Sequence, residues 1–240
     1  MIDMSTSCIV LAGGAGTRLR SAVPDLPKCL APVAGRPFLE WQLRSLSKRG
    51  IDSFVLALGY GSQKVVSWLK EPWVRDLKIT RVIEPQPLGT GGATRFAMKE
   101  TGLDEALVIN GDTWLGGPLQ VMLDPINLAA GERMRIAIVE VPNRERFGGV
   151  SVGAEHRVNA FIEKGQIGAG PINSGLYRIH RSVFDTQPSG MLSMESEVMP
   201  RLIEERALSA LAVAGPLIDI GVPDDYHFFD QHVYEFVSRD

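Results

Sequence analysis

Apolar residues recur along this chain with two different spacings. Short apolar runs at Ser7–Leu11, Ser53–Leu58 and Ala106–Ile109 predict strands, and the mixed segment Lys78–Ile83 is read as another. Between them, Phe38, Trp41, Leu43 and Leu46 return near helical spacing and predict a helix over Phe38–Lys48. Gln63–Leu69 and a stretch from about Gly91 to Lys99 predict two more helices. Strands alternating with helices imply right-handed crossovers and an α/β fold with a mostly parallel sheet. Ligands of such sheets lie outside the carboxyl ends of the strands. The second half is less regular. Arg135–Val141, Gly149–Val152, Val158–Glu163, Ile172–Ile179 and Ser209–Val213 predict strands. Glu195–Arg206 and Pro223–Val237 predict helices. No repeat, low-complexity tract or linker interrupts this order, and Gly165–Pro171 reads as a loop over a site.

Composition narrows the class. The 240 residues suffice for one sizeable α/β domain, and a 45% hydrophobic, 22% charged chain is ordinary for a globular protein. A net charge of −3 argues against a nucleic-acid surface, so any phosphate-binding charge must be local. The amino-terminal residues do not read as a secretory signal, and no apolar run is long enough to span a membrane. Cys8 and Cys29 form no Cys-x-x-Cys pair and suggest no zinc site; reduced thiols and a cytoplasmic location are expected.

The chemistry is concentrated in loops that follow strands. The first strand runs into Leu11-Ala12-Gly13-Gly14-Ala15-Gly16-Thr17-Arg18-Leu19, with Pro27-Lys28 shortly after. Glycines let backbone amides approach an anion, and Arg18 and Lys28 can neutralise it. A P-loop would need a Lys-Ser/Thr pair directly after its last glycine, which is missing. A dinucleotide fingerprint would need a third glycine where Leu19 stands, and an acidic residue after the second strand where Gly59-Tyr60-Gly61 stands. Two further loops fall on the same rim: Glu84 to Thr90 after the third strand, and Asn110-Gly111-Asp112 after the fourth.

Leu-x-Gly-Gly-x-Gly-Thr-Arg-Leu followed by Pro-Lys resembles the signature of the sugar-1-phosphate nucleotidyltransferases. The resemblance runs from about Cys8 to Pro223. It implies a Rossmann-like, mostly parallel central sheet with helices on both faces, in one domain spanning 1–240. The nucleotide-binding half would cover about 1–115, the sugar-phosphate half about 116–222, and a terminal helix about 223–238. The implied reaction moves a nucleoside monophosphate from a nucleoside triphosphate to a sugar 1-phosphate and releases pyrophosphate. Leu11, Ala12, Gly13, Gly14, Gly16, Thr17, Glu84, Gly89 and Thr90 would bind the nucleotide. Arg18, Lys28 and Asp112 would be catalytic. Asp112 and Asp219, the latter in Asp219-Ile220-Gly221-Val222-Pro223, would hold Mg²⁺, an ion that takes one or two carboxylates beside substrate phosphates. The family's Asp-Ile-Gly-Thr-Pro has threonine where this chain has Val222. Gly148, Glu163, Lys164 and Asn173 would bind the sugar phosphate.

Within the family, Pro87–Ala93 is most like short enzymes that act on D-glycero-α-D-manno-heptose 1-phosphate with GTP. Mannose 1-phosphate guanylyltransferases and short uridylyltransferases are their relatives. Two readings from other classes compete: a silent sugar-nucleotide sensor and a glycosyltransferase. Retention of Arg18, Lys28, Asp112, Lys164 and Asp219 argues against the first. Asn110-Gly111-Asp112 in place of Asp-x-Asp argues against the second. The four histidines show no metal or triad spacing. The expected partners are the two substrates, with no nucleic acid or membrane, and a homodimer is possible through the terminal helix.

Overall fold

The computed structural model describes residues 6–14, 16–19 and 22–238, together with every side chain in these ranges except that of Thr17. Contacts divide the chain into two compact units. The first comprises Met1–Pro87, Ile109–Gly117 and Pro216–Asp240, and the second Leu88–Val108 and Pro118–Gly215.

The first unit begins with β1 (Ser7–Ala12), a small hairpin of β2 (Pro32–Val33) and β3 (Arg36–Pro37), and α1 (Phe38–Lys48). β4 (Ser53–Leu58), α2 (Ser62–Trp68) and β5 (Lys78–Ile83) follow. β1 pairs parallel with β4 from Ser7↔Ser53 to Ala12↔Leu58, and β4 pairs parallel with β5. Cys8, Ile9 and Val10 are completely buried, as expected for a parallel strand covered on both faces. α1 starts after Pro37, where the missing N–H costs nothing. It buries Phe38, Leu39, Trp41, Leu43 and Leu46.

After an excursion through α3 (Gly89–Thr101) in the second unit, the chain returns along β6 (Glu105–Asn110). Within the first unit the hydrogen-bonded order is β1-β4-β5. β7 (Thr113–Leu115) follows at once and later pairs antiparallel with a strand near the carboxyl end. The core behind these strands holds Phe38, Trp114, Ile218 and Phe229, with the Phe38 and Phe229 rings edge to face at 5.6 Å.

In the second unit, α4 (Gln120–Leu123) leads to β8 (Met134–Val141), the hairpin β9 (Gly149–Val152) and β10 (Val158–Ile162), and the long β11 (Gly170–His180). α5 (Met199–Glu204) and β12 (Leu208–Ala212) complete it, in the strand order β12-β8-β11-β6. β12 lies parallel to β8, whereas β11 runs antiparallel to it, with a register irregularity between Asn173 and Tyr177. The chain then re-enters the first unit through β13 (Leu217–Asp219), the partner of β7, and ends in α6 (Pro223–Val237).

One expectation needs correction. The helix expected over Glu195–Arg206 is a single π-helical turn, Met194–Val198, followed by α5. Pro200 lacks an N–H and sits in the first turn of α5, so the regular helix restarts there. The short β7–β13 pair was also not anticipated, because three-residue strands carry too little pattern to register. Among the described residues, no helix is long and apolar enough to cross a membrane.

Candidate active site

The carboxyl ends of β1, β4, β5 and β6 gather in the first unit, and each delivers one piece of a site. Gly16, after β1, has φ +63, and a Cβ there would lie 2.5 Å from Lys28 Cγ. Only glycine leaves room for the lysine stem to lie across the loop. Thr17–Leu19 form a 3₁₀ turn anchored by the buried Leu19, which leaves Arg18 exposed. Glu84 follows β5, and its Oε1 would lie 2.8 Å from a Cβ on Gly13 and closer still to one on Gly59. Those two glycines make the room its carboxylate occupies. A small cavity of about 60 Å³ opens among Leu11, Ala12, Gly14, Lys28, Cys29, Gly111 and Asp112.

The loop that carries Asp112 is fixed from three sides. Gly111 N–H donates to the Leu11 carbonyl at 2.9 Å, and Ile220 N–H donates to the Asp112 carbonyl at 2.9 Å. From the buried face of α1, Gln42 Nε2 donates to the carbonyls of Asn110 (3.0 Å) and Thr113 (2.7 Å). The Ile220 bond binds the Asp112 turn to the turn after β13. Two carboxylates far apart in sequence are thereby brought together.

At their meeting point stand Lys28 and Gly221. Lys28 Nζ donates to Asp112 Oδ2 at 2.9 Å. A Cβ on Gly221 would lie 2.7 Å from Asp219 Oδ1, 2.7 Å from Lys28 Nζ and 3.2 Å from Asp112 Oδ2. Asp219 accepts from Gly221 N–H at 2.8 Å, and Arg18 reaches to 4.0 Å from its Oδ2. Burial, then the charge of Asp112, raises the Asp219 carboxyl above the ordinary aspartate range; the Gly221 N–H, Arg18 and Lys28 offset this only in part. Two converging carboxylates, one of them short of positive charge, make a donor set suited to a hard divalent cation. Beside them, burial pushes the Cys29 thiol up to about 12, so it offers no nucleophile.

The remaining expected residues lie in the second unit. Gly89 has φ +71, and a Cβ there would lie 2.6 Å from the Leu192 carbonyl oxygen. Thr90, in the first turn of α3, donates its hydroxyl to Glu195 Oε2 at 2.8 Å and accepts from Met194 N–H at 2.9 Å. Gly148 faces the Ile162 carbonyl and the Lys164 backbone, and Glu163 and Lys164 are exposed just beyond β10. Asn173, half-buried on β11, donates from Nδ2 to the Tyr177 hydroxyl at 3.2 Å, and Tyr177 donates to Glu195 Oε1 at 3.4 Å. Glu195 thus connects Thr90 to Asn173 through Tyr177. Neither Glu195 nor Gln42 was singled out from the sequence. Glu195 looks like a solvated helix charge and Gln42 like one polar residue on a half-buried helix. Only the π turn and the α1 packing reveal what they hold. The Thr17 side chain lies outside the described part.

Known proteins resemble this chain over nearly its whole length. The nucleotidyl transferase family model matches residues 7–234. The chain is similar to D-glycero-alpha-D-manno-heptose 1-phosphate guanylyltransferase of Aneurinibacillus thermoaerophilus, with 32% identity over 230 residues, 95% of this chain and 99% of that one. The protein of the same name from Campylobacter jejuni is 34% identical over 223 residues, 92% and 97% of the two chains. Among solved structures, HddC from Yersinia pseudotuberculosis complexed with GMP-PN matches with a TM-score of 0.82 at 30% identity, covering 95% of this chain and 99% of that one.

Proposed function

We propose that this chain, which belongs to the nucleotidyl transferase family, transfers GMP from GTP to a sugar 1-phosphate and releases pyrophosphate. The acceptor we favour is D-glycero-α-D-manno-heptose 1-phosphate. One observation carries the reading: the glycine loop, Lys28 and the carboxylates of Asp112 and Asp219 meet in one unit, an arrangement suited to a polyphosphate. The names of the two relatives and the nucleotide analogue bound to HddC support the choice of base and sugar.

In this reading no protein nucleophile is needed. An oxygen of the sugar phosphate attacks the α-phosphorus of GTP, a new P–O bond forms, and the bond to the β-phosphate oxygen breaks. The barrier lies in bringing anions together, so positioning and charge neutralisation do most of the work. The amides of Leu11, Ala12, Gly13, Gly14 and Gly16, with Thr17 and Arg18, hold the departing pyrophosphate. Lys28, restrained by Gly16 and Asp112, lies against the α-phosphate. Glu84, Gly89 and Thr90 shape the nucleotide side. Gly148, Glu163, Lys164 and Asn173 take the sugar phosphate. Asp112 and Asp219 fit Mg²⁺, because their oxygens converge beside Gly221 and Asp219 resists ionising next to Asp112. A bound ion would add positive charge where the phosphates crowd.

The test is a panel of GTP, ATP, UTP and CTP against heptose, mannose and glucose 1-phosphates with Mg²⁺, read as pyrophosphate release. GTP with the heptose 1-phosphate should give the highest kcat/KM. Release from no pair would overturn the reading, and a preference for UTP with glucose 1-phosphate would replace the substrates named. Lys28→Ala and Asp112→Ala should each lower kcat by about 10²-fold or more while the protein stays folded.

A further inference from the structure

The hairpin of β9 and β10 holds a cation that the proposed reaction has not used. Arg144 lies half-buried in the segment before β9, and its Nε is buried with no hydrogen-bond partner. No carboxylate of the described residues pairs with its guanidinium. The side chain occupies a slot that two glycines leave open. A Cβ on Gly149 would lie 3.2 Å from Arg144 Cδ and 3.3 Å from Nη1, and one on Gly170 would lie 2.9 Å from Nη1. Backbone bonds lace this segment to the loop after β10. Arg144 N–H donates to the Gly168 carbonyl at 2.9 Å, and Gly165 N–H donates to the Glu145 carbonyl at 2.8 Å. The guanidinium is therefore held beside Gly149, one residue from Gly148, whose Cβ position faces the Ile162 carbonyl at 2.6 Å and the Lys164 N–H at 3.6 Å.

A side chain needed only to fill the slot would not have to be charged. Methionine has a similar length and would leave no buried donor unpaired, an omission that costs stability. A guanidinium fixed in advance yet left without a counter-ion is prepared for an anion from outside the protein. We infer that Arg144 is a second cation, beside Lys164, for the phosphate of the sugar 1-phosphate. The inference rests on the proposed function for the identity of that anion.

Arg144→Met keeps the slot filled and removes the charge, and Arg144→Lys keeps a charge without the fork. Calorimetry should compare D-glycero-α-D-manno-heptose 1-phosphate, the free heptose and GTP on the unaltered protein and both variants. Arg144→Met should weaken the sugar 1-phosphate about ten- to a hundredfold and leave the free sugar and GTP unchanged, and Arg144→Lys should recover part of the loss. An unchanged preference for the phosphorylated sugar in Arg144→Met would overturn the inference. Equal weakening of the free sugar would also overturn it, since that marks a packing role. Failure of the unaltered protein to release pyrophosphate in the substrate panel would count against the proposed function instead.

Discussion

Gly221 offers the sharpest perturbation of the candidate site, because alanine there changes the local geometry and almost nothing else. Its φ is not in the left-handed region, so alanine brings no backbone strain. The added methyl would lie 2.7 Å from Asp219 Oδ1 and Lys28 Nζ, and 3.2 Å from Asp112 Oδ2. Each of these atoms ends a side chain, so the crowding is relieved by small rotations. Asp219 is the most constrained, because the Gly221 N–H holds its Oδ1. The stability cost should be about 1 kcal/mol, the low end for overpacking. The functional cost should be larger, because the groups that yield are the proposed ion ligands and the proposed α-phosphate lysine. A displacement of ~1 Å at reacting groups can cost about 10²-fold. Gly221→Ala should therefore lose about ten- to a hundredfold in kcat/KM for pyrophosphate release and need more Mg²⁺ to reach half its maximal rate. Its Tm should fall by only a few degrees. A Gly221→Ala protein with unchanged kcat/KM and unchanged Mg²⁺ dependence would refute the argument that these three side chains form the reacting centre.

Other outcomes follow from the same structure. Glu132 is buried, which by itself would raise its carboxyl; donors from Arg135, the Asn127 N–H and Ser209 outweigh this and hold it below the ordinary glutamate range. Its contribution is present above the ordinary glutamate pKa and is lost as pH falls through the lowered one. Glu132→Gln should cost about 3 kcal/mol in urea unfolding at pH 7, with the deficit shrinking in acid; equal stability at pH 7 would contradict this. Glu195→Ala removes the acceptor shared by Thr90 and Tyr177 and should lower kcat/KM for both substrates about tenfold without unfolding the protein. Unaltered kinetics would reduce Glu195 to a surface charge. The Cys29 thiol, pushed up to about 12 and buried, should resist iodoacetamide at pH 8 until the protein unfolds, as followed by mass spectrometry. Rapid alkylation of the folded protein would show that the pocket floor opens.

Much of this protein was legible from order alone. The alternation of apolar runs with helical spacing in the first half specifies a parallel α/β sheet, because strands buried on both faces, such as β1 and β4, are apolar and the crossover between them carries a helix. The glycine loop is equally local. Gly16 has to be glycine for Lys28 to cross it, and that need is written within a dozen residues. Chain order could not decide how turns from distant segments close on one another. The meeting of Asp112 with Asp219 depends on the bond from Ile220 N–H and on the pairing of two three-residue strands too short to leave a pattern. Gln42 and Glu195 acquire their partners only through packing. Within an apparently continuous helix, Glu195 falls on a π turn that ends before Pro200. The physical reason is range: propensity and turn chemistry act over a few residues, whereas a site is assembled by contacts whose cost and gain exist only once the whole chain has folded.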